Sequence, residues 1–249
     1  MTTTPSVEAT RSAIADLLRA IESRDLRMIA QSLSPDACWQ NVPHAATEGR
    51  AAVVSMLGAI VTWSDEVRWE IVSDAYEPGV GRLERVDRFL IDGSWYDVAC
   101  NGIVVVDATG VVSEVRDDVD LGEWRARVTP ALDAMRSRPA LDVVRRHLDG
   151  VGLGDTASMA ADYAPDAVLR RGADVHEGWD AIADYFDTVH DRLAGRTVEF
   201  LGSTATAADD VVVRWQITGD GTVTSGRDTF TVRAGRIERQ TVELDAGDF

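Results

Sequence analysis

SPDACWQN at residues 34–41 returns as APDAVLRR at residues 164–171, an offset of 130. A second echo follows in each copy, because Glu48, Gly49 and Arg50 return as Glu177, Gly178 and Trp179 at an offset of 129. Farther on, Gly110 is answered by Gly235 at an offset of 125, which implies a shorter preceding hairpin in the second copy. A period near half of a 249-residue chain means that a whole module has been duplicated, each copy having about 125 residues, an ordinary domain length. Carrying 129 forward lays LERVDRF (83–89) over VVRWQIT (212–218), so Arg85 is expected to fall on Arg214.

The order of patterns within a copy sets the fold class. Apolar residues recur at helical spacing over 7–23 and 26–33, a strand passes through 38–42, and a helix covers 50–62. Long alternating strands follow at 67–76, 81–91, 95–106 and 111–121. The second copy repeats the order from about residue 140, and 126–139 forms a partly helical connection ended by Pro139. The expected domains are therefore 7–125 and 140–249. Helices followed by a run of antiparallel strands give an α+β fold, in which a curved, mostly antiparallel sheet wraps around helices as a cone with an apolar interior. The glycine-rich GVGLGD at 150–155 follows a helical pattern and not a strand, so it predicts an interhelical turn and no phosphate loop.

Composition excludes several function classes. Hydrophobic residues make up 45% and charged residues 27%, enough for a core and unlike a disordered chain. With 25 Lys+Arg against 42 Asp+Glu the formal charge is −17, which argues against nucleic acid and anionic membranes as partners. No apolar run reaches the roughly 20 residues of a membrane span, and the N-terminus has no basic segment leading into a hydrophobic one. A cytoplasmic location is expected. Two cysteines make no disulfide framework, and four scattered histidines offer no metal-ligand spacing, so no metal or other cofactor is expected. Cys38 and Cys100 lack a histidine at motif spacing and read as packing residues.

Strand parity selects the polar groups that enter the first cone, since residues i and i+2 share a face. Trp39 and Asn41 share one, as do Arg85, Asp87 and Phe89. Asp117 shares its side with Val115, Val119 and Leu121, whereas Arg116, Asp118 and Asp120 face solvent. A buried charge costs several kcal/mol unless paired, so Arg85, Asp87 and Asp117 are expected to neutralise one another, one arginine fork holding both carboxylates. For a generic trio of this kind the bland alternative is a structural ion network. Phe89, Val98, Cys100 and Val119 are expected to line a substrate cavity.

Two tandem copies of this pattern resemble nuclear-transport-factor-2-like (SnoaL-like) domains, a fold that hosts enzymes, binding modules and scaffolds alike. WQNVP, ERVD and VRDDVD in the first copy resemble, in order, the Tyr-Gln-Asn-x-Pro, Glu-Arg-Val-Asp and Trp-Arg-Asp-Tyr-Phe-Asp motifs of the limonene-epoxide hydrolase family. The resemblance implies roles. Asp117 would be the base that deprotonates water, Asn41 would orient that water, Asp87 would protonate the epoxide oxygen, and Arg85 would bridge the two acids. Trp39 stands where the family has tyrosine, so it can donate a hydrogen bond to water but cannot relay a proton.

By the same offsets Trp39 maps to Leu169, Asn41 to Arg171, Asp87 to Gln216 and Asp117 to Val242. The second copy is therefore expected to lack this chemistry and to support the first, covering its sheet in an intramolecular pseudo-dimer that leaves the chain monomeric. Its remaining polar candidates are Arg170, Arg171, Glu177, Arg214, Asp228 and Glu243. The expected function is an epoxide-opening hydrolase acting on a hydrophobic small molecule. The alternatives are a cyclase of polyether type, a steroid-isomerase-like proton-transfer enzyme and a lipophile-binding pair of domains.

Overall fold

The structure, a computed structural model, describes residues 4–219 and 221–246. Residues 1–3 of the segment read for a leader, residue 220, and the last three positions of the range 140–249 lie outside the described residues. The chain divides into two compact units, Met1–Leu132 and Asp133–Phe249. Among the described residues no helix is long and apolar enough to cross a membrane.

The first unit runs α1 (Val7–Glu22), α2 (Leu26–Gln31), β1 (Leu33–Val42), β2 (Thr47–Glu48), α3 (Arg50–Val61), β3 (Glu66–Glu77), β4 (Val80–Ile91), β5 (Ser94–Val106) and β6 (Val112–Val119), and then enters α4 (Leu121–Arg136). The sheet order is β2-β1-β6-β5-β4-β3, with every pair antiparallel except β1 and β6. Ser6 caps α1 by accepting from the Ala9 amide, and the helix buries one stripe, Thr10, Ile14, Leu17, Ala20 and Ile21, against the sheet. Asp25 caps α2 by accepting from the amides of Arg27 and Met28. β4 alternates strictly, burying Gly81, Leu83, Arg85, Asp87, Phe89 and Ile91 while their neighbours lie nearer solvent.

The second unit repeats the plan: α5 (Ala140–Leu153), α6 (Thr156–Ala161), β7 (Tyr163–Arg171), β8 (Asp174–Glu177), α7 (Gly178–Leu193), β9 (Thr197–Ala205), β10 (Asp210–Gly219), β11 (Thr222–Arg233) and β12 (Arg236–Ala246). Its sheet order, β8-β7-β12-β11-β10-β9, is that of the first unit strand for strand. Its core gathers Tyr163, Leu169, Ile182, Phe186, Val213 and Phe230 between helices and sheet.

Local readings needed three kinds of adjustment: element bounds, one glycine-rich segment, and register. α2 stops at Gln31 and Leu33 already belongs to β1, while Leu121 opens α4 instead of ending a strand. The GVGLGD segment is mostly helix, not turn. α5 continues through Leu153 because Gly150 packs closely on α6, where an added Cβ would sit 3.6 Å from Ser158 Cβ. The break is confined to Gly154 at φ 70 and Asp155, whose carboxylate caps α6.

The third adjustment concerns register. In the first sheet Leu83 pairs Gly102, Arg85 pairs Cys100, and Gly102 pairs Asp117. In the second, Val213 pairs Asp228, Trp215 pairs Gly226, and Asp228 pairs Val242. Matching ladders puts Trp215, not Arg214, at the position of Arg85, and Ile217, not Gln216, at that of Asp87. The offset grows from 129 at Gly49 and Gly178 to 130 at Arg85 and Trp215, a net gain of one residue over a stretch that includes α7 and the strand after it. A slip of one residue exchanges the faces of a strand, and Arg214 is exposed where Arg85 is buried.

Candidate active site

β4 delivers Arg85 and Asp87 to the inner face, and β6, two strands away across β5, delivers Asp117. The Arg85 Nε donates to Asp87 Oδ1 at 2.8 Å, while Nη1 and Nη2 donate to Asp117 Oδ1 and Oδ2 at 3.1 and 2.7 Å. The fork thus holds Asp117 in two parallel hydrogen bonds and Asp87 by a third. All three groups are enclosed, with Arg85 at 2%, Asp87 at 6% and Asp117 at 2% exposure. The face of the Trp69 ring lies 4.6 Å from the guanidinium carbon, and Trp39 meets Trp69 edge to face at 6.1 Å.

The charges balance only if one acid is neutral. Burial pushes Asp87 up to about 6, against the pull of Arg85 and its hydrogen bond, and the neighbouring Asp117 adds to the rise. Burial opposes the charge on Arg85, but Asp87 and Asp117 outweigh it and hold the guanidinium above its usual value. A neutral Asp87 beside an Arg85–Asp117 ion pair leaves no net charge among these three buried groups. Burial raises the Cys100 thiol well above its ordinary range, so this cysteine has no thiolate character at neutral pH.

The structure brings the sequence-selected residues together unevenly. Asn41 is the direct register partner of Asp117 on the parallel strand, is half-buried, and stands at the same level of the sheet. Trp39 is buried two residues back, opposite Val115. Phe89, Cys100 and Val119 are buried, whereas Val98, opposite Asp87, is half-buried. Phe89 packs on Trp124 of α4 at 5.6 Å. Among the described residues no three His, Cys, Asp or Glu side chains converge as a metal site.

Sequence reasoning passed over Trp69 and Gly102. Trp69 sits opposite Asp87 on β3, sharing the parity of buried Val67, and its indole Nε1 is buried without a partner among the described residues. Gly102 lies directly opposite Asp117, where a Cβ would come within 2.5 Å of Arg85 Nη1 and 2.7 Å of Asp117 Oδ1. The fork closes over this glycine. A lone glycine inside a strand is the available signal, since it marks close approach by another group.

The second cone holds a cavity of about 60 Å³. Of the polar candidates in this copy, Asp228 lines it, while Arg170, Glu177, Arg214 and Glu243 are exposed and Arg171 is half-buried. Asp228 Oδ1 accepts from Trp215 Nε1 at 2.8 Å and Oδ2 from Gln240 Nε2 at 2.7 Å. Tyr163 in turn donates its hydroxyl to Gln240 Oε1. Burial raises Asp228 to about 6, with the Trp215 and Gln240 hydrogen bonds pulling down.

Comparison with known proteins matches residues 144–240 to the SnoaL-like domain family. No curated protein matches the chain. Among solved structures, a Sinorhizobium meliloti protein assigned as a polyketide cyclase is 28% identical over 41% of this chain and 94% of its own, with a TM-score of 0.36. An M. tuberculosis protein described as an LEH-like epoxide hydrolase is 18% identical over 51% of this chain and 93% of its own, with a TM-score of 0.43. A protein from Sphaerobacter thermophilus is 23% identical over 44% of this chain and 98% of its own, with a TM-score of 0.39. Residues 144–240 match the SnoaL-like domain family, and the same strand order in both sheets makes the chain a tandem of two α+β units of one topology.

Proposed function

We propose that the first module opens epoxides of hydrophobic small molecules by general acid–base catalysis across the Arg85 clamp. One observation carries this: a buried guanidinium holds two carboxylates in unequal environments, Asp117 in a bidentate ion pair and Asp87 by one bond with its acidity weakened by burial. Such a pair supplies an ionised base and a protonated acid together at the same pH. The likeness of WQNVP, ERVD and VRDDVD to the limonene-epoxide hydrolase motifs supports the same assignment.

In this reaction a water oxygen bonds to a ring carbon while Asp117 takes its proton. The ring C–O bond breaks as Asp87 gives its proton to the departing oxygen, and the product is a vicinal diol. Asp117 ends neutral and Asp87 ionised, so one proton must pass between them before the next turnover. Asn41 and the Trp39 indole orient the water, the indole by donating to a lone pair. Phe89, Val98, Cys100 and Val119 form the apolar wall. Acid and base are each worth about 10²–10⁴-fold, because concerted transfer avoids separated charges in the hollow.

The test is turnover of a panel of racemic hydrophobic epoxides in isotopically labelled water. Label in a diol is the expected result. An unlabelled cyclic ether from a hydroxy-epoxide would assign the same acids to cyclisation, and no turnover of any epoxide would reduce the cluster to a structural ion network. Asp117→Asn is expected to abolish turnover with the fold retained, and an undiminished rate would remove the proposed base.

A further inference from the structure

We propose that the second module binds a small apolar amine, as its ammonium, in the cavity lined by Asp228. The inference is independent of the epoxide chemistry assigned to the first module. It begins with what the sheet register exchanges between the two cones. In the first, Arg85 reaches over Gly102 to the carboxylate on β6. In the second, Asp228 takes the place of Gly102, Val242 that of Asp117, and Trp215 that of Arg85. Gly226 makes the room, since a Cβ there would lie 2.5 Å from the Trp215 ring. The donor from the middle strand is retained, but its positive charge is gone.

Asp228 is consequently a carboxylate without a cation. The groups that face it are Trp215 on β10, Gln240 on β12, Tyr163 on β7, Tyr185 on α7 and His147 on α5. None of these five carries positive charge at neutral pH, and the cation on the same rung, half-buried Arg171, stands two strands away beyond Val242. Burial drives the His147 imidazole down to about 4, so the ring is neutral. Arg192 stacks on the Tyr185 ring at 4.5 Å, and its charge, like that of Arg171, acts on that tyrosine. No ion pair to Asp228 is formed among the described residues.

The cavity also holds an unmet acceptor. His147 is 1% exposed, lines the same space, and its Nδ1 is buried with no partner among the described residues. A carboxylate lacking a counter-charge and a buried ring nitrogen lacking a partner call for a ligand that brings donors and positive charge. An ammonium supplies three donors and no acceptor, and the aromatic walls, Tyr185, Phe186, Phe200 and Trp215, suit a cation. An alcohol brings one donor and no charge, and a carboxylate would be repelled. At about 60 Å³ the space takes the ammonium head and its first carbons, and half-buried Leu148, Val189 and Val198 remain for the apolar remainder.

The probe is cyclopentylamine, with cyclopentanol as its neutral twin, titrated into the full chain by calorimetry and followed at the Trp215 indole N–H by NMR. At pH 7.5 the amine is expected to bind at least tenfold more tightly than the alcohol and to shift the Trp215 resonance. In the unaltered protein its affinity should rise about tenfold between pH 5 and pH 7.5 as Asp228 ionises, while that of the alcohol stays flat. Asp228→Asn, which can still accept from Trp215, should remove the amine's advantage. Equal affinities, a flat amine profile, absence of amine binding, or an undiminished advantage in a folded Asp228→Asn would each overturn the proposal, and the pH series needs no variant.

Discussion

Replacing Asp117 by asparagine should do more to Asp87 than to the fold. In the intact cluster both carboxylates draw on one guanidinium, and Asp87 is the loser: it keeps a single 2.8 Å bond to Nε while Asp117 takes both terminal nitrogens. Two carboxylates on different edges of one guanidinium lie on the order of 6 Å apart, and at an effective dielectric of about 20 their repulsion is about 3 kcal/mol, or about two pH units of midpoint. In Asp117→Asn that repulsion vanishes and the whole charge of Arg85 falls to Asp87. The midpoint of Asp87, about 6 in the intact cluster, should therefore drop by about two pH units. Breaking a buried pair ordinarily costs about 3–5 kcal/mol because a charge is stranded. Here Arg85 keeps an ionised partner, so the loss should fall well below that range. Carboxyl-carbon NMR titration of Asp87 in both proteins reads the shift directly. A midpoint that stays put or rises would show that the two acids do not compete for one cation, and the division of labour between them would fail with it.

Two further outcomes follow from the same geometry. Gly102→Ala pushes a methyl into Arg85 Nη1 and Asp117 Oδ1, so turnover should fall about 100-fold or more with circular dichroism unchanged, and a fully active variant would show that the fork need not close. Because Asp87 must be protonated to act, turnover should decline as pH rises through about 6; the linked stability has the same sign, being complete below the ordinary aspartate value of 3.8 and lost as pH rises through about 6, which denaturation at a series of pH values would detect.

The duplication, the α+β order and the inward acids of the first module were legible because each rests on a period the chain displays. ERVDRF alternates strictly, and the structure buries Arg85, Asp87 and Phe89 as the alternation requires. What stayed hidden depends on distances between strands. Trp69 is on β3, an edge strand whose outer half exposes Ile71 and Val72, so its own segment does not distinguish it from a surface aromatic. Gly102 matters through a side chain on a neighbouring strand, which no pattern within β5 encodes. The pairing of Arg85 with Arg214 failed on one residue gained between Gly178 and β10, and strands are unforgiving of such errors: Arg214 is exposed while its neighbour Trp215 is 4% exposed and holds Asp228.

The two modules are alternative solutions to one packing problem, and each excludes the other. A carboxylate at position 102 would displace the Arg85 fork, because even its Cβ would lie 2.5 Å from Nη1 and 2.7 Å from Asp117 Oδ1. An acid at position 242, the counterpart of Asp117, would face Asp228 directly across β11 and β12 with no guanidinium to separate the charges. On this rung the carboxylate and its donor are therefore exchanged together. Arg85 suits a site that must hold two acids in different states, since a guanidinium offers separate edges. Trp215 suits a site that holds one acid and leaves its charge unmatched, since an indole gives a single hydrogen bond and no charge. The duplicated chain keeps both arrangements, and the chemistry of each cone follows from which residue occupies that one position on the middle strand.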